Sequence, residues 1–160
     1  MKVCVFAGTF DPITNGHTFV IDKCLEMFDK VIIALGENKE KSPMFDLSVR
    51  KKLVELAVGD NDKVEIASFE GMLVDFMKEN GIKVSVRGIR DVDDYKYETT
   101  MERFNRDMYG EMTTLYIPTP KELVHVSSSA IRNILKLGGD ASEYLPKAVC
   151  EYITAEKLSK

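Results

Sequence analysis

The stretch that decides the fold lies near the start of the chain and reads Val3-Cys4-Val5-Phe6-Ala7-Gly8-Thr9-Phe10-Asp11-Pro12-Ile13-Thr14-Asn15-Gly16-His17. It begins with a short apolar run typical of a buried strand and ends where a helical pattern begins, which predicts a strand-to-helix turn. Gly8 allows a tight bend and a close approach of a ligand to the main chain. His17 falls in the first helical turn, where free backbone N–H groups and the helix dipole attract an anion. We interpret this loop as a phosphate site, in preference to a helix-capping loop with a surface histidine.

Composition limits the classes of protein that fit this chain. Its 160 residues, 44% of them hydrophobic, suit one domain over 1–160 with a sizeable core. The net charge of -4 gives no basic field, which argues against a nucleic-acid partner. No apolar run approaches the roughly 20 residues that span a bilayer, and the chain starts directly with a strand, so we expect a cytoplasmic protein without a membrane partner. Cys4, Cys24 and Cys150 have neither metal nor redox spacing and are predicted to be buried thiols.

Two hydrophobic periods alternate along the rest of the chain. Strands are predicted at residues 2–7, 30–35, 63–67, 84–86 and 114–117. Helices are predicted at 16–28, after Asp46, at 73–79, 93–109 and 127–137, and from Pro146 to about residue 158. This alternation predicts the α/β class, with a doubly wound parallel sheet of five strands. In such sheets ligands bind beyond the carboxyl ends of the strands, near the switch point.

Two further polar clusters follow predicted strands. Arg87-Gly88-Ile89-Arg90 comes directly after the fourth strand, where two arginines can bind phosphates bidentately. A salt-bridged surface turn with Asp91, Asp93 and Asp94 is an equally good reading of this pair alone. Ser127-Ser128-Ser129 opens a helix after the fifth strand; one serine suffices as an N-cap, and three place extra hydroxyls where an anion would bind. The shared position at strand ends favours one common site.

These motifs resemble the T/HxGH signature of the nucleotidyltransferases that adenylylate small phosphorylated substrates. The downstream set is similar to that of the bacterial phosphopantetheine adenylyltransferases, and comprises Lys41-Ser42-Pro43-Met44-Phe45, Val86-Arg87-Gly88-Ile89-Arg90, Tyr97-Glu98, Phe104-Asn105-Arg106 and Ser127-Ser128-Ser129. The similarity extends from Val3 to the last helix. It implies a Rossmann-like fold and transfer of an adenylyl group from ATP to 4′-phosphopantetheine, giving dephospho-coenzyme A and pyrophosphate. It also implies Mg²⁺ bound with the ATP phosphates, a homohexamer, and coenzyme A as a feedback inhibitor.

The resemblance assigns roles to individual residues. The catalytic set would be His17, which donates to the α-phosphoryl group, Thr9 and Lys41, which hold the acceptor phosphate, and Arg90, which neutralises the β- and γ-phosphates. ATP would be bound by Thr9, Phe10, His17, Gly88, Ile89, Arg90, Glu98, Leu123, Val124, His125, Val126, Ser127, Ser128 and Ser129. The acceptor would be bound by Thr9, Lys41, Leu73, Arg87, Tyr97 and Asn105. Because the attacking group is an ionised phosphate oxygen, the chemistry needs positioning and charge stabilisation and no protein nucleophile.

The chain departs from the family pattern at three places. Ala7 stands where proline is frequent, Leu73 stands where methionine is common, and residues 123–126 replace a more aromatic run. Leu73 keeps an apolar wall, since leucine and methionine have similar volumes. The run at 123–126 offers less stacking area for the adenine.

Other functions share parts of this pattern. Nicotinate mononucleotide adenylyltransferases and cytidylyltransferases carry the same T/HxGH signature, but the Lys41 loop and the turn from Arg87 to Arg90 argue against them. A regulatory module that binds a nucleotide without turnover is a third reading. It does not require His17, Lys41 and Arg90 together, which favours an enzyme.

Overall fold

A computed structural model describes residues 1–37, 42–156 and 158 of the chain. Five strands form one parallel sheet: β1 (Val3–Gly8), β2 (Lys30–Glu37), β3 (Val64–Glu70), β4 (Val84–Ile89) and β5 (Thr113–Pro118). The helices over the described residues are α1 (Asn15–Met27), α2 (Leu47–Val58), α3 (Leu73–Glu79), α4 (Val92–Met108), α5 (Ser128–Lys136) and α6 (Lys147–Ala155), with a short 3-10 helix at Lys121–Leu123. The strand order is β3-β2-β1-β4-β5. The predicted fold class is therefore confirmed.

The two faces of the sheet carry separate cores, as the period-2 alternation of side chains requires. On one face Cys4, Phe6 and Val86 pack with buried residues of α1, α2, α5 and α6. On the other face Val5 and Ala7 pack with residues of β2 and α3. Helices on both faces make the sheet doubly wound.

The switch point of the sheet lies between β1 and β4. The chain moves from β1 outward through β2 and β3, and then returns to place β4 on the other side of β1. Val5 pairs with Ser85 and Phe6 with Val86 across this junction. Because ligands of open parallel sheets bind beyond the strand ends at such a junction, the loop after β1 and the end of β4 define the place to look for a site.

The structure corrects three local predictions. β4 continues to Ile89, so Arg87 and Gly88 lie within the strand and not after it. Pro146 is the N-cap of α6 and precedes its first turn. Cys150 is partly exposed, whereas Cys4 and Cys24 are fully buried in the same core. A hydrogen bond with the Cys24 thiol and burial both raise the pKa of Cys4.

No helix in the described part of the chain, residues 1–37, 42–156 and 158, is long and apolar enough to cross a membrane.

Candidate active site

His17 is held in one orientation by the helix start on which it lies. It is the third residue of α1, and its Nδ1 accepts a hydrogen bond from the backbone N–H of the N-cap, Thr14, at 3.0 Å. The Thr14 hydroxyl lies 3.0 Å from the same nitrogen, and the Phe10 ring packs edge-on against the imidazole at 5.1 Å between centroids. Because Nδ1 accepts, the neutral ring carries its proton on Nε2. His17 is thus built as a hydrogen-bond donor through Nε2.

The charge state of this histidine follows from its surroundings. Burial, and then the positive charges of Arg90 and Arg87, lower the pKa of His17 to about 4. Both effects disfavour the protonated ring. The imidazole is therefore neutral at pH 7, and it offers an N–H donor and not a proton for transfer.

The loop between β1 and α1 is fixed from two sides. Asp11 is 3% exposed, and its two carboxylate oxygens accept the backbone N–H groups of Met44 and Phe45 at 2.8 and 2.9 Å. Arg50 of α2 is 4% exposed and donates to the carbonyl oxygens of Phe45, Thr9 and Gly36. These bonds tie the loop to the end of β2 and to the segment before α2, which sets the position of Thr9.

The N-terminus of α5 faces the same loop. Ser127 caps the helix by accepting from the N–H of Ala130, and Ser128 donates to the carbonyl of Pro12 at 2.8 Å. Ser129 accepts from Arg132, which also donates to the carbonyl of Asp11. The three serine hydroxyls are therefore structural here. What α5 presents to a ligand is its first backbone N–H groups and its dipole.

The two arginines of the fourth-strand motif are both paired with carboxylates. Arg87 binds Glu98 bidentately through Nε and Nη2 at 2.9 and 2.7 Å, and its Nη1 donates to the carbonyl of Ala7 at 2.7 Å. Arg90 binds Asp94 through Nε and Nη2 at 2.8 and 3.1 Å. The salt-bridged reading of this motif thus holds for the described structure. It does not remove the arginines from the site, because both side chains line a cavity.

Two cavities meet at the end of β1. The first, which we call the histidine cavity, measures about 320 Å³ and contains His17, Arg90 and the start of α5. The second, which we call the Leu73 cavity, measures about 370 Å³ and lies on the opposite face of the sheet, between α3 and α4. Both are lined by Ala7, Gly8, Arg87 and Glu98. Two ligands, one in each cavity, would touch at this shared wall.

The predicted site residues divide between these cavities in a definite way. The histidine cavity is lined by His17, Arg87, Gly88, Arg90, Glu98, Val126, Ser127, Ser128 and Ser129. The Leu73 cavity is lined by Thr9, Leu73, Arg87, Tyr97, Glu98 and Asn105. Within the described residues, Phe10, Ile89, Leu123, Val124 and His125 lie outside both, and the Phe10 side chain is buried in the core. Lys41 lies outside the described residues.

Four residues matter to this geometry although the sequence analysis assigned none of them to the site and named only Asp94, as a salt-bridge partner of the arginines. Asp94 and Arg132 bind the predicted site residues Arg90 and Ser129, while Asp11 and Arg50 hold the loop. Asp94 lies four residues after Arg90, a spacing at which ion pairs form along a helix, so the sequence itself indicated this ion pair. Arg50 is a charged residue among the inward-facing positions of α2. Because buried charged residues are rare unless they are paired, this position could have indicated a structural role.

The comparisons with known proteins agree with this architecture. The family model for cytidylyltransferase-like proteins matches residues 5–134. A candidate nicotinate-nucleotide adenylyltransferase from Vibrio parahaemolyticus has a solved structure that is similar with a TM-score of 0.75. It is 24% identical and covers 99% of this chain and 96% of that chain, a likeness that shows the fold alone. The class defined by fold and site is therefore that of the cytidylyltransferase-like nucleotidyltransferases.

Curated relatives narrow this class. The phosphopantetheine adenylyltransferase of Thermotoga neapolitana is 41% identical over 158 residues, which is 99% of this chain and 98% of the relative. The phosphopantetheine adenylyltransferase of Clostridium tetani is 37% identical over 160 residues, the whole of both chains. That of Helicobacter pylori strain J99 is 40% identical over 153 residues, 96% of this chain and 98% of the relative. The chain belongs to the phosphopantetheine adenylyltransferase family.

Proposed function

We propose that this protein is an enzyme that transfers the adenylyl group of ATP to 4′-phosphopantetheine, forming dephospho-coenzyme A and pyrophosphate. The observation that carries the proposal is the pair of cavities on opposite faces of the sheet, with a shared wall at the end of β1. Two substrates that react through phosphate groups need such an arrangement, because the attacking oxygen and the α-phosphorus must meet in line.

ATP occupies the histidine cavity in this proposal. The Nε2–H of the neutral His17 donates to the α-phosphoryl oxygens, on which negative charge grows as the new bond forms. Arg90 and the N-terminus of α5 bind the β- and γ-phosphates, which leave as pyrophosphate. The attacking phosphate oxygen is already ionised near neutral pH, so these residues stabilise charge and move no proton.

Mg²⁺ enters with the triphosphate as part of the substrate. Within residues 1–37, 42–156 and 158, no three His, Cys, Asp or Glu side chains are grouped as metal ligands. Both oxygens of Asp94 already accept from Arg90. This donor set fits an ion held by phosphate oxygens and water, since Mg²⁺ commonly binds with substrate phosphates and keeps several waters. Bound in this way, the ion would supply positive charge beside the pyrophosphate, next to Arg90 and the N-terminus of α5.

The acceptor occupies the Leu73 cavity in this proposal. Its phosphate lies at the shared wall beside Thr9 and Arg87, and Lys41 is assigned to the same phosphate. The pantetheine arm extends between α3 and α4, along Leu73, Tyr97 and Asn105. An apolar wall with few polar groups suits a long flexible arm that carries amides at intervals.

A homohexamer and inhibition by coenzyme A belong to the same proposal. Every residue of α4 is described and none is buried, although Tyr97, Phe104 and Met108 are apolar and 65%, 59% and 39% exposed. Contact with further copies of the chain would cover this face. Coenzyme A combines both substrate moieties in one molecule, so it would fill both cavities and compete with each substrate.

The proposal is tested by measuring pyrophosphate release from ATP with 4′-phosphopantetheine, nicotinate mononucleotide and a phosphorylated alcohol as separate acceptors. Turnover with 4′-phosphopantetheine alone is expected. His17→Ala should bind ATP nearly as well as the wild type and lose on the order of 10² to 10³ in turnover. Turnover with another acceptor only, or binding of ATP without turnover, would refute the proposal. Sedimentation of the protein, with and without coenzyme A, tests the assembly.

A further inference from the structure

Ser85 lies on β4 in the lining of the Leu73 cavity and has an unusual environment for a serine. It is 1% exposed, and its hydroxyl has no hydrogen-bond partner within residues 1–37, 42–156 and 158. Buried hydroxyls are nearly always paired, because an unpaired one loses its bonds to water without replacement. The Ser85 hydroxyl is thus an unpaired donor and acceptor on a residue of the cavity lining, and its burial costs stability.

The neighbours of Ser85 across the sheet make no hydrogen bond with its hydroxyl. It pairs in register with Val5 of β1 on one side and with Thr114 of β5 on the other. The Thr114 hydroxyl is also buried without a partner in the described part of the chain, so the two hydroxyls do not bond to each other. Met112, 3% exposed, also lines the cavity. None of these neighbours pairs with the Ser85 hydroxyl.

The position of Ser85 relative to Arg87 indicates which part of a ligand it can meet. The two residues are two apart on one strand, so their side chains lie on the same face of the sheet, about 6.6 Å apart along β4. Arg87 is at the shared wall, where the acceptor phosphate is assigned, whereas Ser85 lines the Leu73 cavity alone. In 4′-phosphopantetheine the amide nearest the phosphate lies a comparable distance along the arm.

We propose that the Ser85 hydroxyl donates a hydrogen bond to the amide carbonyl nearest the phosphate of the acceptor, and that it thereby selects amide-bearing arms over plain alkyl arms. The inference rests on the proposed function, because it assumes that the acceptor phosphate binds at the shared wall. Selection follows from the unpaired state of the hydroxyl: an amide pairs it, whereas an alkyl chain covers it and leaves it unpaired.

The test compares Ser85→Ala with the wild type in binding of two acceptors by calorimetry. One acceptor is 4′-phosphopantetheine, and the other is an analogue in which an alkane segment of equal length replaces the amide nearest the phosphate. Ser85→Ala should weaken 4′-phosphopantetheine about 3- to 10-fold, the contribution of one neutral hydrogen bond. The analogue should bind both proteins equally or bind the alanine variant more tightly. The KM for ATP should stay unchanged.

Thr114→Val is the matched control, because it removes the neighbouring unpaired hydroxyl at similar volume without touching the cavity lining. It should leave acceptor binding unchanged. Equal weakening of both acceptors by Ser85→Ala, or no weakening of either, would overturn the inference while wild-type turnover keeps the proposed function intact. A wild type inert towards 4′-phosphopantetheine would overturn the proposed function first and the inference with it.

Discussion

Gly88→Ala adds one methyl group between β4 and α1, and we expect it to disturb both the packing of α1 and catalysis. A Cβ built on Gly88 would lie 2.9 Å from Cγ2 of Val20, closer than real Cβ contacts. Val20 is 2% exposed and projects from α1 against β4. Its branched side chain has one preferred rotamer in a helix, so it cannot turn away cheaply. Gly88→Ala must therefore push α1 away from the sheet, or distort both.

The size of the effect follows from these contacts. Adding one methyl to a packed core costs about 1–3 kcal/mol, and we expect Gly88→Ala to lower the free energy of unfolding by about 2 kcal/mol. Val20→Ala alone should cost about 2 kcal/mol through lost burial and a cavity. In the double variant the new methyl occupies part of that cavity, so Gly88→Ala should then cost nearly nothing. The coupling energy is about 2 kcal/mol.

Urea unfolding of the four proteins, at one fixed protein concentration, measures this coupling. The midpoints should shift while the slope stays constant, because the surface exposed on unfolding is the same. Costs that add within about 0.5 kcal/mol in the double variant would refute the reasoning, since the two sites would then not be in contact.

Activity gives a second readout of the same variants. His17 lies three residues before Val20, so both side chains share one face of α1 and both line the histidine cavity. A displaced α1 moves His17 from the α-phosphate, and we expect Gly88→Ala to lower turnover about 10- to 100-fold. The double variant should recover most of it. Full turnover in Gly88→Ala would mean that the strain is absorbed elsewhere than in α1.

Three further predictions concern charged residues. Arg90→Lys should raise the KM for ATP and Arg87→Lys the KM for the acceptor, because lysine loses the planar fork with which each arginine binds its assigned phosphate; steady-state kinetics with each substrate varied in turn distinguishes them. Arg50→Lys should lower the free energy of unfolding by about 3 kcal/mol, because the donors of an ammonium radiate from one nitrogen and cannot reach the three carbonyl oxygens that Nε and Nη1 of the guanidinium contact. NMR titration should give His17 a pKa of about 4, and Arg90→Gln should raise that pKa but keep it below 6.5 because burial remains the larger cause.

Each of these has a contradicting result. A defect for the same substrate in both lysine variants would show that Arg87 and Arg90 do not serve different ligands. For Arg50, the exposed Lys52→Met is the control, and equal stability changes in both variants would remove the claimed role. A His17 pKa near 6.5 would contradict the neutral-donor argument. The lowered pKa also sets how stability depends on pH. Since the pKa of His17 in the folded protein lies below 6.5, the neutral ring stabilises the fold above pH 6.5, and this contribution is lost as the pH falls towards 4.

The fold was predictable because the sequence patterns are strong where the sheet is buried. β1 and β2 are continuous apolar runs, and Asn80-Gly81 and Gly138 mark helix ends. The order and type of the elements could therefore be predicted from the hydrophobic periodicity and from the residues that end helices. The end of β4 was misplaced because Arg87 and Gly88 are poor strand formers. Pairing with β5 overrides that preference, with Arg87 opposite Tyr116 and Gly88 opposite Ile117.

The sequence predicts where in the fold the candidate site lies, but it does not predict the contacts between the site's residues. Ligands of open parallel sheets bind beyond the carboxyl ends of the strands, and this alone predicts that Thr9, His17 and the arginines lie at one edge of the sheet. Which carboxylate binds which arginine depends on how α4 crosses β4, and this crossing has no local signal in the sequence. The tautomer of His17 depends on the N–H of Thr14, a backbone contact that no residue type encodes.

The wall between the two cavities depends on a pair that the sequence had assigned to different substrates. Among the described residues, Arg87 uses three of its five N–H groups, two on Glu98 and one on the Ala7 carbonyl. Two donors on Nη1 and Nη2 are left for ligands, and both cavities border the side chain. The side chain of Glu98 is 16% exposed, and both of its carboxylate oxygens accept hydrogen bonds from Arg87, which fixes the plane of the guanidinium. The ion pair is therefore a fixed partition between the two cavities, and Glu98 is expected to act on a bound ligand only through the arginine that it orients.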